Sequence, residues 1–94
     1  MSAERLVLRI VGRVQGVGFR WWAVRRAGEL GLTGWVMNAD DERGVELVAE
    51  GEPHSLDRLE ALVREGPPGA RIESVEARRA AASGEFTRFS IVRS

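Results

Sequence analysis

The chain has 94 residues, 14 basic against 14 acidic, and no cysteine: one domain's length, able to bury about two-thirds of its unfolded surface. Balanced charge argues against a general nucleic-acid-binding surface, and no apolar run approaches the roughly 18 residues that would span a bilayer. With a single histidine, His54, neither a disulfide framework nor a zinc site of nitrogen and sulfur ligands can be built, and Met1-Ser2-Ala3-Glu4 is no signal peptide, so a soluble cytoplasmic domain is expected.

All 14 cations are arginine. We read this as codon usage in a GC-rich genome, because the compositional signal of thermophiles is Lys with Glu.

The first element, "RLVLRIV", alternates Leu6, Leu8 and Ile10 against Arg5, Val7 and Arg9, the period of a strand with one core face. A glycine-rich stretch follows, "GRVQGVGFRWW" from Gly12 to Trp22. "FRWWAVRRAGEL" then sets Phe19, Ala23, Ala27 and Leu30 at helical spacing with Trp22 beside them, and Gly31 suits the left-handed position that ends a helix. "LTGWVMN" reads as a second strand, "ADDERG" as turn chemistry and "VELVAE" as the returning strand of a hairpin.

Pro53 is placed to open a second helix whose apolar stripe is Leu56, Leu59, Leu62 and Val63, and "GPPG", Gly66 to Gly69, ends it. "RIESVEARRA" and "FTRFSIV" are two further strands, the first with imperfect alternation and therefore a bulge. The predicted order is β-α-β-β-α-β with an added C-terminal strand. It defines an α+β, ferredoxin-like split βαβ sandwich in one domain over 1–94, with two helices on one face of a mostly antiparallel sheet.

A loop between a strand and a helix N-terminus is a natural anion site, because its N–H groups lack partners and the helix dipole is positive there. Glycines let the backbone approach a ligand and turn successive N–H groups toward one point. The loop is neither a Walker A sequence nor the dinucleotide fingerprint, and its glycines alone would serve equally for a tight connection. Arg20 adds weight to the anion reading. A cation in the first turn opposes the macrodipole by about 0.3–1 kcal/mol, whereas a phosphate would turn that liability into a bidentate contact. The competing reading is a solvated surface arginine.

Asn38 ends the second strand. In a split βαβ unit the first two strands are parallel, so Asn38 and the glycine loop meet at one end of the sheet. An amide there can accept a hydrogen bond from water and donate one to an oxyanion, or it can merely open the hairpin turn.

Together these residues resemble the acylphosphatase family. "GRVQGVGFR", Gly12 to Arg20, matches every fixed position of the family's Gly-x-Val-Gln-Gly-Val-x-Phe-Arg, and "GWVMN", Gly34 to Asn38, matches its Gly-aromatic-Val-x-Asn. "VELVAEGEP", "GPPGARI" and "FSI" extend the similarity over essentially the whole chain. One departure is the hairpin "NADDERGVE", one residue longer than the family's usual turn.

The resemblance implies metal-free, cofactor-free hydrolysis of a carboxyl-phosphate bond. Arg20 would take the phosphate-binding role and Asn38 the water-positioning role, with the main-chain N–H groups of Gln15, Gly16, Val17, Gly18 and Phe19 completing the cradle. The partners implied are a small-molecule acyl phosphate and inorganic phosphate as product inhibitor, with no nucleic acid and no membrane, for a monomeric enzyme.

Other candidates carry less. His54 has no cue linking it to the glycine loop, and "DDE", Asp40 to Glu42, reads as a polar hairpin tip before a metal site. Trp21, Trp22 and Trp35 invite a base-stacking role, but Trp22 belongs to the helix core face and Trp35 packs on a sheet face. An RNA-recognition motif shares this element order and stacks bases on its inner strands, yet "VELVAE" has no aromatic. A regulatory module that binds without chemistry would not need both Arg20 and Asn38. Similar domains also occur inside larger carbamoyl-transferring maturation proteins; a chain of this length favours the free enzyme.

Overall fold

The computed structural model describes residues 2–41 and 43–93. Its elements follow the predicted order: β1 Glu4–Arg13, α1 Phe19–Glu29, β2 Thr33–Asn38, β3 Gly44–Gly51, α2 Pro53–Glu65, β4 Arg71–Ala81 and β5 Phe89–Ile91.

The sheet order is β4-β1-β3-β2-β5. β3 pairs antiparallel with both β1 and β2, which therefore run parallel to each other on either side of it. β4 adds antiparallel to β1, while β5 adds parallel to β2, so the sheet is mixed. The expected bulge lies in β4: Val11 pairs with Ser74 and Gly12 with Ile72, which leaves Glu73 without an opposite residue.

Alternation explains the core. Leu6, Leu8 and Ile10 of β1, Val36 of β2, and Val45, Leu47 and Ala49 of β3 are buried beneath Phe19, Ala23 and Ala27 of α1 and Leu56, Leu59 and Val63 of α2. Each large side chain removed from water in this way contributes about 1.5–3 kcal/mol. Leu62, expected in the α2 stripe, is only half-buried, because one turn of helix presents three positions to the sheet and Leu59 and Val63 occupy the centre. Trp22 packs against the core with its ring centroid 5.4 Å from that of Phe19. Among the described residues, no helix is long and apolar enough to cross a membrane.

Candidate active site

The glycine loop leaves the C-terminal end of β1 and is held at both ends by buried side chains, Val14 and Phe19. Between them Gly16 and Gly18 adopt φ of 75° and 79°, and Gly18 is the residue that caps α1. A Cβ at either glycine would meet nothing within 4 Å, so glycine is required there by the left-handed backbone and not by crowding. Left-handed residues interleaved with others turn consecutive N–H groups inward. No well-formed hydrogen bond pairs the main-chain N–H groups from Gln15 to Phe19 among the described residues, and no side chain caps α1. The loop thus presents main-chain N–H groups without a well-formed partner at the positive end of a helix.

Arg20 is the second residue of that helix, whose first turn holds no acid. The ion pairs of the described residues engage Arg5, Arg9, Arg26, Arg43, Arg64 and Arg79, and Arg20 is in none of them. Its side chain lines a groove of about 500 Å³ between α1 and β5. Trp21, Val24, Phe89 and Ile91 supply the apolar wall, while Arg88 and Arg93 make the lining cationic with no acid in it. Trp21 is 74% exposed at the rim, the most exposed large apolar side chain among the described residues.

Asn38 closes β2 on the same face as buried Val36, the face that carries both helices. It pairs with Val45, which in turn pairs with Ile10 of β1, so Asn38 lies level with the last turn of β1 before the loop. Two strand spacings, roughly 9–10 Å, separate them. Asn38 Oδ1 is buried with no hydrogen-bond partner among the described residues.

The hairpin that carries Asn38 is fixed from several sides. Ala39 N–H donates to Gly44 O at 2.9 Å and Gly12 N–H donates to Arg43 O at 2.9 Å. Asp41 accepts from Arg9 Nη2 at 2.6 Å and from Arg43 N–H at 3.1 Å. The Gln15 side-chain amide donates to both Ala39 O, at 3.1 Å, and Gly44 O, at 2.8 Å. Sequence reasoning had used only the main-chain N–H of Gln15. The polar amide between Val14 and Gly16 was the available signal, but its partners are carbonyls 24 and 29 positions away and leave no mark in the sequence.

The remaining candidates lie apart or are occupied. Gly51 pairs with Glu4 at the N-terminal end of β1, so α2 and exposed His54 start at the sheet end opposite the glycine loop. Asp41 is committed to Arg9, and no group of three metal-binding side chains exists among the described residues; Glu42 lies outside them. Trp35 lines a second depression, about 510 Å³, on the open face of the sheet, where Arg9, Glu46, Glu76 and Arg78 mix both signs of charge. That depression is no smaller than the groove beside Arg20, but nothing in it gathers donors toward one anion.

The sequence profile described as Acylphosphatase matches residues 6–91. An acylphosphatase of Methylococcus capsulatus is 52% identical over 90 residues, covering 96% of this chain and 97% of that protein. The crystal structure of an acylphosphatase from Bacillus subtilis superimposes with a TM-score of 0.90 at 35% identity, covering 95% and 98% of the two chains. Full-length HypF, crystallised in a phosphate- and nucleotide-bound form, contains a similar unit: TM-score 0.83 and 28% identity over 96% of this chain but 12% of that one.

Proposed function

The chain belongs to the acylphosphatase family, hydrolases that act on acyl phosphates, and we propose that its own chemistry runs through Arg20, Asn38 and the N–H groups of residues 15–19. The reaction is RCO–OPO₃²⁻ + H₂O → RCOO⁻ + H₂PO₄⁻. A water oxygen forms the new bond to phosphorus, the bond from phosphorus to the carboxyl oxygen breaks, and the carboxylate leaves with the electron pair.

The leaving group decides how much machinery is needed. A carboxylic acid has a pKa of roughly 4, so the carboxylate departs without a general acid. Phosphoryl transfer through a loose transition state asks mainly for position and charge stabilisation. The Arg20 fork can hold two phosphoryl oxygens while the loop N–H groups hold the third. Asn38 Oδ1 accepts a hydrogen bond from the attacking water and aims it. One observation carries this reading: loop N–H groups without a well-formed partner and the unpaired, buried Asn38 Oδ1 lie at the same end of the sheet.

The groove between α1 and β5 is the natural place for the acyl portion, since Arg20 belongs to its lining. We further propose that the enzyme is a cytoplasmic, single-domain monomer that requires neither metal nor cofactor. Inorganic phosphate, as product, would compete for the cradle; no nucleic acid or membrane is needed as a partner.

The test is hydrolysis of benzoyl phosphate followed by ultraviolet absorbance in the presence of EDTA, beside an Arg20→Gln variant. We expect turnover that survives chelation and falls by about 10²–10⁵ in kcat/KM in the variant, the range for removing a charge stabiliser in phosphoryl transfer. Phosphate inhibition should nearly vanish with it. Wild-type kinetics in Arg20→Gln would remove Arg20 from the site. A folded chain that binds phosphate without turnover would be a binding module instead.

A further inference from the structure

The Gln15 side chain takes no part in the chemistry above, yet it is placed between the two halves of the site. Its main-chain N–H belongs to the loop; its side-chain amide reaches the hairpin. From one nitrogen, Nε2, it donates to Ala39 O and Gly44 O, the carbonyls on the two sides of the turn base immediately after Asn38. Gly44 O also accepts from Ala39 N–H, so the three groups form one closed knot where β2 becomes the turn.

This matters because the turn is long. Residues 39–43 connect β2 to β3, and Asn38 is the last paired residue before them. A strand end followed by such a turn is free to splay unless something ties its base, and among the described residues the β2–β3 ladder offers only the Ala39–Gly44 bond beyond Asn38. Other ties reach the far side of the turn: Gly12 N–H of β1 donates to Arg43 O at 2.9 Å, which holds the β3 side, while Arg9 holds Asp41 near the tip, where both side chains are substantially exposed and such a pair fixes little. Gln15 is the tie that runs from the phosphate loop itself. Because it is part-buried, its hydrogen bonds compete less with water than those at the tip.

We propose that Gln15 is a positioning residue for the reaction: its amide sets the distance and angle between the phosphate loop and Asn38, and its side chain does not touch substrate. The inference rests on the water-positioning reading of Asn38. It explains how the longer hairpin can coexist with a placed Asn38. Oδ1 of Asn38 has no partner of its own to hold it, so the backbone beneath it must be held instead.

The test is a double-mutant cycle of Gln15→Met with Asn38→Ala, assayed with acetyl phosphate and with inorganic phosphate as inhibitor. Methionine keeps the length of the side chain and removes both donations. We expect Gln15→Met to lower kcat by about 10–100-fold, the scale of a misplacement of about 1 Å. Phosphate inhibition should change by less than about twofold, since the loop N–H groups are untouched.

In the Asn38→Ala background the same substitution should cost less than about twofold, because the group it positions is already gone. Additive losses, or a phosphate Ki that worsens in step with kcat, would overturn the proposal and put Gln15 in the cradle; so would an unchanged kcat in Gln15→Met. If Asn38→Ala itself retains wild-type kcat, the water-positioning reading fails and this inference falls with it. Should Gln15→Met not fold, Gln15→Asn serves the same cycle, since the shorter amide stays polar but cannot span both carbonyls.

Discussion

Glu50 offers a perturbation whose size can be worked from the structure. It is 4% exposed, the one buried charged side chain among the described residues, and sits on β3 opposite Arg5. Burial alone would push its carboxyl pKa up. The main-chain N–H groups of Ser83 and Gly84, at 2.8 and 3.0 Å, the Arg5 Nε at 2.7 Å and the Ser83 hydroxyl at 3.0 Å outweigh that and hold it down at about 2. A folded pKa below the unfolded one means stability that is present above the unfolded value, roughly 4.3, and lost as pH falls toward 2.

The full shift would correspond to about 3 kcal/mol; with Arg5 only partly buried and solvent screening part of the interaction, we expect about 2 kcal/mol. Glu50→Gln, which mimics the protonated acid, should therefore lower Tm at pH 7 by about 8–16 °C for a domain of this size. The gap between the two proteins should close as pH is lowered from 5 to about 2. The assay is thermal unfolding by circular dichroism across that range. Parallel Tm curves for wild type and variant from pH 7 down to about 3 would refute the reasoning, because the carboxylate would then contribute nothing specific to its ionised form.

Asn38→Ala should lower kcat by about 10²–10³ while leaving the phosphate Ki little changed, as for removal of one positioned amide; steady-state kinetics with phosphate as inhibitor reads both. An equal loss of phosphate affinity would mean that Asn38 holds ligand and not water. The cationic lining of the α1–β5 groove predicts that acyl phosphates bearing a second anionic group bind better than acetyl phosphate, with a KM about tenfold lower at low salt and a smaller gap at high salt. Equal KM values at both salt concentrations would place the acyl portion elsewhere.

Most of the fold was legible because the chain's local signals agree with its global arrangement. The alternation of β1, the proline that opens α2 and the glycines at element ends each point to the structure adopted. Leu62 was misassigned because a helical stripe read from sequence is wider than the contact a flat sheet makes with it. The placement of the candidate site was legible too: the loop by its glycines, and the position of Asn38 at the same sheet end by the parallel arrangement of β1 and β2. What sequence could not supply were contacts made by one side chain to distant carbonyls. Gln15 with Ala39 and Gly44, and Glu50 with the N–H groups of Ser83 and Gly84, are of this kind. Backbone acceptors and donors exist at every residue, so no pattern of side chains announces which will be used.

The two constellations also occupy opposite ends of the sheet, and that separation has a kinetic consequence. Glu50 pairs with Arg5 near the start of β1, while the loop begins after Arg13 at its end. Eight residues of strand at 3.3 Å put them roughly 25 Å apart. Sites so distant with no shared partner act additively to within about 0.3–0.5 kcal/mol. Glu50→Gln, assayed at neutral pH and well below its own Tm, should therefore keep kcat for acetyl phosphate within about twofold of wild type, even though it loses much of its thermal margin. Arg20→Gln should show the reverse, with activity lost and Tm kept or slightly raised, because a cation is removed from the positive end of α1. If Glu50→Gln loses kcat in proportion to Tm, the segment that Glu50 fastens, residues 83–84 on the way to β5, must help to order the catalytic end. The groove beside Arg20 would then be the place to look for that coupling.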